Sequence, residues 1–500
     1  MEKNVFKLKR FLYFTLIIIV SVFSKYYLFL SSEFNLESDQ SLSLLMSKRI
    51  LEGKDFPLFY WGQNYMGMAE IWFSLSFQYF FGSDLKVFLI SQVILSIFIC
   101  YLIYYSFLLI KKEVMGVIFS FLFAFGHPFL NKHLLNVSEN FGFSLLVGIL
   151  GFYFIYQFST IKESGLLQKK ILLFYGMILG FSLYNREILL FIFPFVLLVS
   201  IKNIRFSLNN FVLLGFGFII GYLPGFIHYI ITPYYKKLVR PSFKINTDLM
   251  NTLYYFTFKI PSEIMISGEF LFQLLIFLLS FLGIILLRRE KNSILLKYFL
   301  YYVLGTLSTL FIFLISASYS VDRYYFYLTI GFFFLSSYTL SILYERNKKI
   351  FYVVILLYLL LYVDTYTKEF KKNIEYSKRT IQLKEVANHL KYKNFQFGIA
   401  EYWSAYTVQY FSGDTINFLV YMDKQSDLKS TIKVLENKAQ FFLFHKDSTF
   451  ENYFLNNRNS AIKYQKEEIY DYVLYIPEHK TLDFLEDSRE KLLDEWRKYK

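Results

Sequence analysis

Asp39 stands a short way past an apolar run that ends at position 30, within Glu37-Ser38-Asp39-Gln40. A carboxylate at a membrane boundary can serve as a general base, taking the proton of a hydroxyl while that hydroxyl attacks a sugar carbon. The base must lie near lipid if the sugar arrives on a lipid carrier. Glu33 and Glu37 are rivals, and placement at the start of a helix favours Asp39 as the inward-facing acid. The next stretch is Phe59-Tyr60-Trp61-Gly62-Gln63-Asn64-Tyr65-Met66-Gly67, followed by Glu70. Its glycines allow tight turns, and Trp61 and Tyr65 could stack on a sugar or join the aromatic belt of a membrane. Further on, Ser320-Val321-Asp322-Arg323-Tyr324-Tyr325 places an arginine between two apolar runs. Its planar, always charged fork suits a phosphate, although Arg323 could equally reach lipid headgroups or pair with Asp322. Asn185-Arg186-Glu187 is a polar break between apolar stretches, with Arg186 either facing a phosphate or pairing with Glu187. His127, His133 and Glu139 have no metal-ligand spacing, so no metal site is assigned. Asn136-Val137-Ser138 matches a glycosylation triplet that is frequent by chance.

These residues sit in a chain of 500 that is 55% hydrophobic and 22% aromatic, more apolar surface than a soluble domain can hide. The net charge of +14 comes from clusters between apolar runs, where it sets membrane orientation; nucleic acid is excluded as a partner. The single Cys100 lies in an apolar run, which excludes a disulfide framework.

Runs long enough to cross about 30 Å of hydrocarbon number eleven, from 11–30 to 351–364, with 114–130, 171–184 and 188–201 among them. Lys7, Lys9 and Arg10 put the N-terminus in the cytoplasm. Alternation then places Lys111-Lys112, Lys169-Lys170, Lys202 with Arg205, Arg288-Arg289 and Lys348-Lys349 on that same side. Asp39, residues 185–187, Asp322-Arg323 and everything past Asp364 fall outside. Within the first outer loop, about 31–84, the stretches up to 52 and 70–81 read as helices lying in the membrane interface, and 233–269 as a second, longer outer loop. After 365 the chain turns charged and alternating. Helices are expected at 371–392, 426–437 and 481–499, and strands at 395–400, 440–445 and 470–476. The expected fold is a polytopic α-helical membrane protein with a small C-terminal α/β extracytoplasmic domain. The transmembrane domain takes 1–366 and the outer domain 367–500.

Taken in order, several of these residues resemble the GT-C superfamily of polytopic glycosyltransferases, in particular bacterial members of the protein mannosyltransferase (family 39-like) group. They are Asp39, residues 62–67 with Glu70, residues 180–194 with Arg186, residues 217–224, Asp322-Arg323-Tyr324-Tyr325 and Glu401-Tyr402-Trp403-Ser404-Ala405-Tyr406. Many relatives carry an acidic pair where this chain has Asp39-Gln40, and a proline before the Arg-Tyr pair where it has Val321-Asp322. The resemblance implies a hexosyl- or pentosyltransferase in the bacterial plasma (inner) membrane. It would use a polyprenyl-phosphate sugar donor, transfer with inversion at the outer face, and act on a glycan, lipid or protein acceptor. In that scheme Asp39 is the base and Arg323, with Arg186, holds the donor phosphate. Gln63, Asn64, Tyr65, Gly67, Glu70 and Tyr324 line the donor and acceptor loop. No cofactor is assigned, and a divalent cation stays open. A lipid-linked-sugar transporter or flippase, and a surface-polysaccharide polymerase or ligase, are the competing classes. The absence of an internal repeat argues against the first, and the lack of a dominant central outer loop against the second.

Overall fold

The computed structural model describes residues 2–32, 36–126, 128–135, 140–161, 165–186, 192–204, 207–231, 270–315, 326–420, 427–458 and 462–481. The chain opens with α1 (Glu2–Ser32), α2 (Ser38–Leu51), a hairpin of β1 (Phe59–Tyr60) and β2 (Gln63–Gly67), and α3 (Ala69–Phe81). A helical bundle follows: α4 (Leu85–Leu109), α5 (Glu113–Phe125), α6 (Pro128–Leu135), α7 (Phe141–Thr160), α8 (Leu166–Asn185), α9 (Phe195–Ser200), α10 (Leu208–Gly221), α11 (Leu223–Ile231), α12 (Phe270–Leu287), α13 (Ser293–Ile315), α14 (Phe326–Arg346) and α15 (Lys348–Tyr392). Among the described residues, α4, α7, α8 and the Lys348–Lys371 part of α15 are long and apolar enough to cross a bilayer; α10 and α11, bent by 54°, make a fifth as a pair.

Aromatic rings fill the bundle. Phe107, Phe119, Phe152, Tyr298 and Phe334 are buried together, with ring centroids 4.8 Å apart for Phe152 and Tyr298 and 5.7 Å for Phe107 and Phe119. Elsewhere the backbones themselves touch. A Cβ on Gly180 of α8 would lie 2.1 Å from the Phe218 carbonyl oxygen, and one on Gly221 of α10 would lie 2.0 Å from that of Met177. Glycine is what lets α8 and α10 approach so closely, as small residues do between helices in lipid. The outer face of α10 exposes Phe211, Val212, Phe216 and Ile219.

Three expectations about helices need correction. The run at 114–130 is broken: α5 stops at Gly126, whose φ is +63°, and α6 starts at Pro128. Polar side chains satisfy the carbonyls freed there. Lys25 Nζ and Ser24 Oγ donate to the Ala124 oxygen at 3.0 and 2.6 Å, while Asn131 Nδ2 and the Tyr362 hydroxyl donate to that of Phe125 at 2.6 and 2.8 Å. The run at 188–201 is, over its described part, a turn at 192–194, the six-residue α9 and a 3-10 turn, too short to span. Finally, α15 does not end at 364. With no Gly or Pro from 348 to 392 to stop it, one helix of 45 residues joins the last apolar run to the helix expected at 371–392.

The C-terminal part holds β3 (Phe397–Ala400), α16 (Tyr402–Phe411), β4 (Asn417–Val420), α17 (Leu428–Asn437), β5 (Phe441–His445), α18 (Thr449–Asn457), β6 (Tyr464–Ile469) and β7 (Tyr472–Pro477). The sheet order is β4-β3-β5-β7-β6, with β3 parallel to β4 and β5, and β7 antiparallel to β5 and β6. Alternate residues take opposite faces. Ala400, Phe418, Val420, Phe441 and Leu443 pack with Leu42, Leu45 and Met46 of α2 and with Val386 and Leu390 of α15. Ile399, Leu419, Phe442 and Phe444 pack against Phe454 of α18. The expected helix at 481–499 lies outside the described residues beyond Thr481.

Candidate active site

Asp39 sits in the first turn of α2, where a carboxylate is favoured by the helix dipole. Glu37 precedes it in extended conformation, at φ −88° and ψ 161°. Two tyrosines from different parts of the chain grip Asp39. The Tyr402 hydroxyl, on the first residue of α16, donates to its Oδ1. The Tyr60 hydroxyl, from β1, donates to its backbone oxygen at 2.5 Å, and Ser43 Oγ lies 3.2 Å from both that oxygen and the Tyr60 hydroxyl. Ser38 Oγ donates to the Tyr402 carbonyl at 2.6 Å. Burial first, and then the Asp39 carboxylate, push the Tyr402 phenol far above its ordinary pKa, so it stays a donor.

The helix α2 was expected in the membrane interface. It is instead enclosed: nine of its fourteen residues are buried, and it packs along α16. Arg49 has its Nε 2.8 Å from Asp414 Oδ2 and its Nη2 2.7 Å from Asp427 Oδ2, with further bonds to Asp414 Oδ1, Asp427 Oδ1 and Ser430. The guanidinium lies 4.8 Å from the Trp61 ring. Gln409 donates to both aspartates, and Lys48 Nζ to the Gly413 oxygen. Burial raises Asp414, but the Arg49 fork outweighs it and holds the carboxyl below its usual range.

The aromatic loop is a hairpin with Gly62 at φ +70°. At its far end Gly67 lies under the Tyr184 ring, where a Cβ would come within 2.8 Å. Tyr184 donates to the Leu58 oxygen at 2.5 Å and accepts the Met68 amide at 3.1 Å. Asn140, just before α7, donates to the Gly67 oxygen and accepts the Glu70 amide at 3.3 Å. Glu70 is fully buried and accepts the Phe143 amide at 3.1 Å, so its carboxylate faces the N-terminus of α7. Arg186 follows α8; its backbone forms a bridge with Met66, and its guanidinium stacks 4.1 Å from the Phe141 ring.

Asp39, the hairpin, Glu70 and Arg186 thus belong to one connected region. Gln63, Asn64 and Tyr65 lie on β2, and the side chains of Asn64 and Tyr65 are outside the described residues, as are Arg323, Tyr324, His127, Glu139 and the side chain of His133. No group of three or more His, Cys, Asp or Glu able to hold a metal occurs among the described residues. Sequence reasoning missed Tyr60, Tyr184, Asn140 and the Arg49 cluster, because each acts through a partner far away in the chain. Tyr402 carried a signal, being part of Glu401–Tyr406, one of the stretches behind the family resemblance, but nothing local linked it to Asp39.

No family model and no curated protein matches the sequence. The fold has known counterparts. ArnT from Cupriavidus metallidurans in its apo state superposes with a TM-score of 0.61 at 11% identity, covering 94% of this chain and 98% of that one. The same protein bound to undecaprenyl phosphate gives a TM-score of 0.59 at 10% identity, over 92% and 98%. The Archaeoglobus fulgidus oligosaccharyltransferase gives 0.52 at 10% identity, over 93% and 73%. The chain shares the fold of these proteins.

Proposed function

We propose that this protein is a multi-pass membrane glycosyltransferase that moves a hexosyl or pentosyl group from a polyprenyl-phosphate donor to an acceptor hydroxyl, with inversion. The observation that carries this reading is Asp39 itself. In a fold shared with an undecaprenyl-phosphate-bound protein, the first-loop residue Asp39 is held by tyrosines from two separate elements, Tyr402 at its carboxylate and Tyr60 at its backbone oxygen. Chain orientation from the basic clusters supports a reaction at the outer face of a bacterial plasma membrane, with 367–500 outside.

In the proposed mechanism Asp39 takes the proton of the acceptor hydroxyl. The hydroxyl oxygen bonds to the anomeric carbon, and the carbon–oxygen bond to phosphate breaks on the opposite face. The polyprenyl phosphate leaves with the electron pair. Charge grows on its oxygen as it departs, so a fixed arginine stabilises the transition state more than the ground state. Arg323 and Arg186 take that role. Arg186 has its guanidinium over the Phe141 ring, beside the hairpin. The hairpin residues Gln63 to Gly67, with Glu70 and Tyr324, shape the sugar and acceptor pocket. The acceptor is a glycan, a lipid or a protein.

The test is transfer activity of Asp39→Asn. The amide keeps the shape and an oxygen for Tyr402 but cannot take a proton. We expect folded protein with transfer slowed by about 100- to 10,000-fold. In a deletion strain only the native chain should restore the missing surface sugar. Equal restoration by Asp39→Asn removes the base assignment and, with it, this reading.

A further inference from the structure

The strand β3 leads through α16 to β4 on one side of it, while β5, on its other side, leads through α18 the opposite way to β6 and β7. In an open parallel sheet the crevice at the carboxyl ends of two such strands is where a ligand normally binds. Here the crevice between β3 and β5 is filled from within. Glu401, which follows β3 and is 7% exposed, accepts the amide of His445, the last residue of β5, at 3.1 Å and the Ser448 hydroxyl, from the loop after it, at 2.7 Å. The next residue is Tyr402, whose hydroxyl reaches Asp39 and whose carbonyl accepts from Ser38. Its ring is braced by Trp403 at 5.2 Å and Tyr406 at 5.5 Å. The usual ligand-binding edge of the sheet is therefore turned toward the first turn of α2.

We propose that the C-terminal domain is part of the catalytic centre, with Tyr402 as the positioning residue that aims the Asp39 carboxylate. The inference rests on the reading of Asp39 as the base. Tyr402 transfers no proton. It donates one hydrogen bond to Oδ1, which fixes the rotation of the carboxylate and favours its ionised form. The Arg49 ion pairs keep the two helices in register while it does so. The domain thus serves the reaction through a single hydroxyl, delivered by the helix that starts at its sheet edge.

The experiment uses full-length protein in nanodiscs. The donor is the polyprenyl-phosphate sugar fraction extracted from a deletion strain, and that strain's envelope fraction is the acceptor. Initial rates are followed from pH 4 to 9 for the native chain, Asp39→Asn and Tyr402→Phe. Tyr402→Phe keeps the ring and loses only the hydroxyl. We expect its kcat to fall about 10- to 100-fold with little change in donor KM, and the acid limb of its profile to move up by about one pH unit. A structural role alone would lower the amount of folded protein without moving that limb. If Tyr402→Phe does not fold, 3,5-difluorotyrosine at 402 keeps ring and hydroxyl and donates more strongly, and the limb should move down. An unmoved limb in either protein, with Asp39→Asn inactive, overturns the role of Tyr402 alone. An active Asp39→Asn overturns the base, and this inference with it.

Discussion

Two helix contacts in this molecule are held by opposite chemistry. The helices α8 and α10 meet through Gly176, Gly180, Gly217 and Gly221, with no room for a side chain between backbones. The helices α2 and α16 are joined by Arg49, Asp414, Asp427, Gln409 and Ser430, a dense polar network with one fully enclosed fork. The difference follows from the surroundings. Lipid offers no water to expel, so helices in it gain from close van der Waals contact. At the junction with the C-terminal domain an apolar cluster already gives the driving force, and the ion pairs fix which surfaces meet and in what register. A buried pair is poor evidence of net stability, but breaking one side of it is costly.

The largest effect should come from Arg49→Met, which leaves Asp414 and Asp427 buried without their cation. We expect a loss of about 3–5 kcal/mol in the junction, read as early proteolysis or hydrogen exchange in α2. Arg49→Met combined with Asp414→Leu and Asp427→Leu should recover most of that loss. If the triple variant is no better than the single, the network does more than define register. Gly180→Val comes next. Its side chain would run into the Phe218 carbonyl, and the expected cost is about 1–3 kcal/mol, seen as a lower unfolding temperature with α2 protection unchanged.

The smallest effect separates the two contacts by pH. The folded-state pKa of Asp414 is depressed, so its contribution is complete above the unfolded value and is lost as pH falls through the folded one. The α2 junction should hold through neutral and mildly acid solution and loosen only below about pH 4. The glycine contact has no titratable group and should not respond. Loosening of α8 and α10 at the same pH as α2 would remove the distinction.

Much of this protein was readable in its sequence. Apolar length, basic clusters and the change of composition near 365 come directly from the cost of leaving backbone and charge in lipid, and they require a helical membrane part followed by a mixed α/β part. Strands at 397–400 and 441–445 and the helix at 428–437 show their periodicity locally. Asp39 was legible because an acid so near an apolar run is unusual. Other features depend on residues about a hundred or more positions apart, and no local pattern encodes them. Tyr402 reaches Asp39, and Arg49 reaches Asp414 and Asp427. Lys25 meets the end of α5, and Gly67 fits under Tyr184. The break at Gly126 and the uninterrupted α15 follow from Gly and Pro, or their absence, where hydropathy sees only continuous apolar sequence or a change in composition. The sequence by itself determined the type of each element and the medium it must face, because transfer free energy is local and additive. Only the tertiary structure decided which side chains share a site, because the cost of burying a polar group depends on the partner that the fold brings to it.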